Sequence, residues 1–430
     1  MHTIQPTQLQ RFILASGMTN LADGIAVVVW AWIATLLTRD PFLVSLMPVA
    51  LRLPWILFAL PAGIITDRVD RKRLILAMDL FRGLAFAVAT GAVALSLPLA
   101  DPPVDGTAMP GLFATLIACA LIVGIAEVFR DNAAQTMLPA LVPHDRLETA
   151  NGRLWSVELV GNALLGPAVG AFLISAAVWL PFAINTAAFA LAALLVLGMQ
   201  GAFRPKSRDT RNWREELGEG LSYLRNAPLL RLLAVVTGFW NLFDQMVVIA
   251  LVLYVQEVLG LGAQAYGLML ASAALGGIAG GFCADAIVRT FGPGNTARWA
   301  QLFSAIAFMA IPFAPNAVSL AIILATFQFA GLVWNTVSVS YRQRTIPDAL
   351  LGRVNSTYRL LAWGMMPIGL LLSGALVSLS EIVVSREIAL SIPFIIAAIG
   401  VSILSLATWR PLGRGFRNAV PTKQEIPRNR

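Results

Sequence analysis

The sequence predicts an all-α membrane protein of twelve transmembrane helices in two six-helix bundles, and three observations carry that prediction. Of the 430 residues 58% are hydrophobic and only 13% charged, whereas a soluble globule carries charge on roughly a quarter of its residues. The apolar residues gather into twelve runs of about bilayer-spanning length, separated mostly by short polar turns. Polar landmarks in the first six runs return, in the same order, in the last six.

Taken in order, the runs cover 12–37, 44–66, 74–96, 112–129, 154–178, 181–199, 232–255, 266–287, 299–313, 317–339, 354–379 and 388–407. The first is long and the ninth short for a hydrocarbon core of about 30 Å, a mismatch that tilt accommodates. The turn after the second run, Gly63-Ile-Ile-Thr-Asp67-Arg68-Val-Asp70-Arg71-Lys72-Arg73, packs four cations into six residues. Such a turn must lie in water, and basic loops prefer the cytoplasm. Of the 31 Lys and Arg, 26 fall on the side of this turn, Arg130 among them; only Arg39 and Arg386 fall on the other, and Arg52, Arg82 and Arg359 lie within runs. Both termini are therefore placed in the cytoplasm.

The net charge of +8 is spread over short loops, the pattern of an orientation signal rather than of a nucleic-acid surface. Cys119 and Cys283 sit inside apolar runs, and His2 and His144 have no ligand-spaced neighbours, so neither a disulfide nor a metal site is readable and no cofactor is expected. Residues 1–10 lack the basic start and small-residue cleavage site of a signal peptide, so the first run is expected to stay as a helix.

The longest connection divides six runs from six, giving an N-terminal bundle over 1–199, a cytoplasmic linker over 200–229, a C-terminal bundle over 230–409 and a basic cytoplasmic tail over 410–430. Within the linker Trp213, Leu217, Leu221 and Leu224 recur at helical spacing among acidic and basic residues. They predict an amphipathic helix on the inner membrane surface, or a solvated linker helix.

The repeat is specific. Asn20-Leu-Ala-Asp23 in run 1 returns as Asn241-Leu-Phe-Asp244 in run 7, and Gly63 with Asp67 returns as Gly281 with Asp285 at the end of run 8. Gln135 with Pro139 returns as Gln343 with Pro347, and Gly166-Pro167-x-x-Gly170 in run 5 is matched by Met366-Pro367-x-Gly369 in run 11. Parallel halves imply a pseudo-twofold along the membrane normal, with a site near the midplane between them.

Twelve spans, parallel halves and G-x-x-x-D-R-x-x-R-[KR] after the second span, carried here by Gly63, Asp67, Arg68, Arg71 and Lys72, resemble the major facilitator superfamily. Leu138-Pro-Ala-Leu-Val-Pro143 with Asn151, Gly220-Leu-Ser-Tyr-Leu224, and Ile346 to Ser356 are similar to the branch holding macrolide efflux proteins and enterobactin exporters. Gly166, Pro167 and Gly170 resemble the span-5 signature of proton-driven antiporters, with Ala171 and Asn162 replacing two usual glycines. The intramembrane Arg common in mid-span 4 of the classical drug–proton antiporters is missing here.

The candidate sites follow from the cost of charge in hydrocarbon. Asp23 lies roughly 17 Å of helix rise from the inner end of its run and Arg52 at a similar depth, so the two are expected to pair. A carboxylate that alternates between a cation and a desolvated setting can link protonation to transport; the alternative is a static ion pair. Asp244 takes the corresponding place with no Arg opposite it in run 8, and Asn20 and Asn241, one turn before the acids, are expected to line the same cavity. Glu158 with Asn162, and Gln328 with Asn335, are further polar positions that helix packing would equally explain. Arg359 is expected to snorkel to the inner surface, and Asp79 and Arg82 to form a local pair. At the cytoplasmic gate the resemblance implies a latch of Asp67 on the start of span 11 near Arg353 and Ser356, and Arg71 is expected to reach Glu127 or Asp131. Asp285 lacks the following basic run, so its latch is weaker. Gly166 and Pro167 predict a bend or a close crossing in run 5.

These readings lead to a secondary transporter, a monomer in the inner membrane of a bacterium, exporting a moderately hydrophobic small molecule such as a drug, macrolide or siderophore-like compound by alternating access with protons as the coupling ion. The alternatives are an importer or facilitator on the same fold and a non-transporting sensor or scaffold. No G-x-x-x-x-G-K-[ST] phosphate loop points to ATP drive, and no nucleophile and base suggest an enzyme.

Overall fold

The computed structural model describes residues 6–66, 68–143, 146–201, 203–204 and 213–419. Spans 1 to 4 are Pro6–Leu37, Pro41–Thr66, Arg71–Leu95 and Pro110–Leu141. Span 5 covers 147–176 in three pieces, an α-helix Leu147–Glu158, a π-helical turn Leu159–Leu165 and an α-helix Gly166–Ala176; span 6 is Leu180–Leu197. A linker helix Trp213–Asn226 leads to spans 7 to 10, Pro228–Glu257, Ala263–Phe291, Pro293–Ala310 and Ala317–Thr345. Span 11 covers 348–380 and is divided at Gly364, and span 12 is Arg386–Ala419. Eleven of the described helices are long and apolar enough to cross a membrane. The ninth in order, diluted by Asn295, Arg298 and Gln301, is not among them, yet it packs between spans 10 and 12.

The repeat read from the sequence governs packing. In the first half span 1 lies on 5 and 6, span 2 on 4, and span 3 on 4 and 6; adding six to each number gives the principal neighbours in the second half. The halves meet mainly where span 2 packs on 11 and span 5 on 8. Small residues make these approaches possible: a Cβ on Gly267 would lie 2.6 Å from the Pro167 carbonyl oxygen, and one on Gly374 would lie 2.6 Å from that of Pro41.

Local signals explain the helix ends. Asp70, in the basic turn, caps span 3 by accepting from the Arg73 amide at 3.0 Å, and its other oxygen accepts from the Phe203 amide at 2.8 Å. Asn316 and Ser319 form a reciprocal capping box at the start of span 10.

The linker helix departs from both expectations for it. Its side chains do not all face lipid or water: Leu224 is buried in a cluster with Leu230, Leu233 and Val354, and the Tyr223 hydroxyl donates to the Thr345 carbonyl at 3.1 Å. Glu219 pairs with Arg353, and Gly220 lets the helix sit against the Arg353 carbonyl and Thr357. The apolar stripe that suggested a membrane surface is partly used against spans 7 and 11, while Leu221 stays exposed.

Candidate functional site

The close crossing of spans 1 and 5 builds the centre of the first half. A Cβ on Gly166 would lie 2.4 Å from the Gly24 Cα, and one on Gly170 would lie 2.8 Å from the Ile25 carbonyl oxygen. The π-helical turn ends at Gly166–Pro167, where the ladder must accommodate a residue without an amide proton.

Asp23, one residue before Gly24, pairs with Arg82 of span 3 and not with Arg52. Arg82 is fully buried and its guanidinium carbon sits 4.2 Å from the centre of the Phe189 ring. Asp79 does not pair with Arg82; it faces Arg130 of span 4 at 3.6 Å. Arg130 in turn stands 3.7 Å from Asp131 and donates to the Ser16 hydroxyl at 3.3 Å. Both corrections have one cause: the face of span 3 holding residues 79 and 82 is buried, so each charge meets a partner on another helix, Arg82 on span 1 and Asp79 on span 4. Glu127 and Asp131 lie close enough for their charge to act on Arg82, and Glu158 of span 5 is within range of Arg130. Asp23, Asp79, Glu127, Asp131 and Glu158 thus gather around two guanidinium groups, three carboxylates in excess. Asn20 donates back to the Ser16 carbonyl at 2.8 Å, and Asn162, on the π-helical turn, is partly buried.

Between the halves, Trp55 of span 2, Asp131 and Gln135 of span 4, and Arg359 and Trp363 of span 11 enclose a cleft of about 70 Å³. Trp55 and Trp363 meet edge to face at 5.2 Å. Arg359, which is exposed, lines this cleft 5.3 Å from the Trp363 ring centre and in the field of Asp131. Arg52 extends its charge to Asp244 of the opposite half, which supplies the cation that span 8 lacks. Asp244 also accepts from Gln245 Nε2 at 2.8 Å. Asn241 is buried and donates to the Ala362 carbonyl at 2.9 Å, tying span 7 to span 11 instead of lining a cavity. On span 10, Gln328 is partly buried and Asn335 exposed.

At the cytoplasmic ends, Asp67 lies outside the described residues. Arg71 donates to the Thr136 carbonyl at 2.9 Å, not to Glu127 or Asp131, which stand roughly 7 to 14 Å deeper along span 4. Lys72 donates to the Leu197 carbonyl at 3.0 Å and to that of Met199 at 2.5 Å, and Arg68 is exposed. Asp285 pairs with Arg289 on its own helix at 2.8 Å, both exposed. Added Cβ atoms on Gly63 and Gly281 would meet only open space.

The opposite ends are clasped. Arg39, in the turn after span 1, lies 3.5 Å from Glu257 at the end of span 7 and donates to Gln256 at 2.5 Å, while Gln256 donates to the Thr35 hydroxyl at 2.7 Å. Arg386 binds Glu257, Glu381 at 2.8 Å and the Arg39 carbonyl at 2.6 Å.

Against known proteins, the family model described as Major Facilitator Superfamily matches residues 12–370. The chain belongs to that superfamily. This facilitator is 25% identical over 412 residues to the multidrug efflux pump Tap of Mycolicibacterium fortuitum, covering 90% of this chain and 93% of the pump. The nucleoside transporter NupG superposes with a TM-score of 0.74 at 12% identity, covering 94% of this chain and 99% of its own. A bacterial homologue of the iron transporter ferroportin superposes at 0.72 in its inward-facing state, at 14% identity with 96% of this chain and 99% of the homologue covered. In its outward-facing state the score is 0.58, at 17% identity with 94% and 99% covered. The protein is an integral, multi-pass membrane transporter of the facilitator fold.

Arg130 is the site residue that sequence reasoning missed in this facilitator, because run 4 was ended at Phe129. The signal was present: Ala133, Ala134, Met137, Leu138 and Leu141 continue the apolar face at helical spacing, and all are buried.

Proposed function

We propose that this facilitator exports moderately hydrophobic small molecules by alternating access, exchanging them for protons across the inner membrane of a bacterium, and that the structure corresponds to its inward-facing state. One observation carries the reading: five carboxylates, of which Asp79 is wholly buried and Asp23 and Asp131 partly so, gather around Arg82 and Arg130 beside a cleft between halves whose far ends are clasped. An excess of negative charge away from water favours uptake of a proton or a cationic group, and release once the pairing changes. Similarity to the pump Tap supports the outward direction. Asp23 and Asp131 are assigned to proton uptake, Arg359 and Asp244 to the sensing of that change across the halves. Gly63, Asp67 and the basic turn are assigned to the closed cytoplasmic gate of the opposite state, where open space beside Gly63 would be filled.

The test is substrate-driven proton flux in proteoliposomes, with a panel including macrolides and catecholate siderophores. Asp23→Asn and Asp131→Asn should bind a transported compound while losing most coupled proton movement. A compound carried by wild type with no proton movement, or carried by both variants with wild-type proton movement, would end the coupling proposal. Uptake driven in the reverse direction under the same gradient would favour the importer.

A further inference from the structure

Away from the central cleft, spans 7 and 12 flank a second cavity of about 460 Å³ at their cytoplasmic ends. Its walls are apolar, from Leu229, Leu232 and Val235 on one helix and Pro411 and Gly415 on the other, and Arg231 closes one side. Gly415 makes the junction possible, since a Cβ there would lie 2.8 Å from Leu229 Cδ1. The volume falls within the roughly 300–1,000 Å³ of ordinary ligand sites.

The outward stripes of the two helices say what fits. On span 12, Ile399, Ile403 and Leu406 are exposed at steps of one turn, and the same stripe continues into Arg410 and Arg414, also exposed. On span 7 the stripe runs from Phe239 through Val235 to Arg231. Both stripes are apolar toward the middle of the membrane and cationic at the cytoplasmic boundary, and residues 228–243 and 399–419 contain no Asp or Glu. Arg231 donates to the Arg225 carbonyl at 2.9 Å, which fixes its guanidinium while leaving further N–H groups free to donate.

We propose that this cavity binds one anionic phospholipid of the inner leaflet, its acyl chains along the two apolar stripes and its phosphate between Arg231 and Arg414. An aliphatic cleft alone would accept any lipid; cations at the headgroup level add selection for negative charge. The occupant thereby joins the first span of the second half to the last.

The experiment uses the purified full-length protein and native mass spectrometry with dioctanoyl phosphatidylglycerol, dioctanoyl phosphatidylcholine and inorganic phosphate. Wild type should retain one phosphatidylglycerol at least tenfold more tightly than phosphatidylcholine. Arg231→Ala with Arg414→Ala should remove that preference, and Val235→Trp, which fills the cleft but keeps the arginines, should weaken retention of phosphatidylglycerol. Arg289→Ala, an exposed cation elsewhere, should change nothing. The proposal is overturned if the double Ala variant retains phosphatidylglycerol as wild type does, if phosphatidylcholine is held equally, or if inorganic phosphate displaces the lipid, which would mark a small-anion site only.

Discussion

Arg130 shows how much hangs on one guanidinium. It stands between Asp79, which is wholly buried and has no hydrogen-bond partner among the described residues, and Asp131, which faces the cleft. Removing the cation leaves Asp79 with an uncompensated charge, so Arg130→Met should cost roughly 3–5 kcal/mol. Pairing it with Asp79→Leu should recover most of that loss, because replacing both members of a buried ion pair is close to neutral. Thermal unfolding in detergent reads both; equal stability of Arg130→Met and wild type would show that the pair holds nothing. The sequence singled out Asp23 but assigned it the wrong partner. Depth follows from counting residues along a helix, whereas partner choice depends on helix rotation and neighbour order, which a single chain does not display.

At the level of elements, the order of the spans and their repeat were legible, because apolar runs and glycine-bearing motifs are local, whereas most helices extend several residues beyond the apolar runs that mark them. What was hidden is tertiary. The cytoplasmic third of span 4 is polar enough to resemble a loop, and the linker helix finds its apolar contact on the spans of the second half. The halves also differ inside. Where the first carries ion pairs, the second carries a neutral network in which Tyr358 bonds to the Thr237 hydroxyl at 2.7 Å and donates to the Leu233 carbonyl at 3.0 Å. Docking of the linker helix depends on Gly220, since a Cβ there would fall 2.4 Å from Thr357 Oγ1 and 2.8 Å from the Arg353 carbonyl oxygen. Gly220→Val should therefore lift the helix and speed limited proteolysis within 203–228 by about tenfold, the effect of about 1.4 kcal/mol on a local opening equilibrium. Cleavage at the wild-type rate would mean that the contact does not hold the linker in place.

For the whole molecule, the proposed alternation gives the clasp opposite the cleft the role of setting the balance between the two faces, and its chemistry then decides how that balance responds to pH. Glu381 lies in the turn before span 12, facing Arg386, with Glu257, Asp105, Asp40 and Arg39 around the same junction. Burial is the largest influence and lifts its carboxyl above the usual glutamate value; Arg386 opposes this, and the neighbouring acids reinforce it. In the unclasped state the group returns to water and to about 4.3. The clasped state therefore holds the proton more tightly, so lowering the outer pH through the window above about 4.3 favours the clasp, and its advantage fades as the pH rises past the lifted value. Arg386→Met has the opposite consequence, for it withdraws the cation shared by Glu257 and Glu381 and should shift the population toward the outward-open form at every pH. Glu381→Gln should keep the clasp closed and flatten its pH dependence, because the amide resembles the protonated acid. Distances between spin labels on the outer ends of spans 1 and 7, measured in lipid nanodiscs from pH 5 to 8, separate these outcomes. A wild-type clasp that opens on acidification would place the Arg386 ion pair above desolvation in the control of Glu381 and reverse the direction argued here.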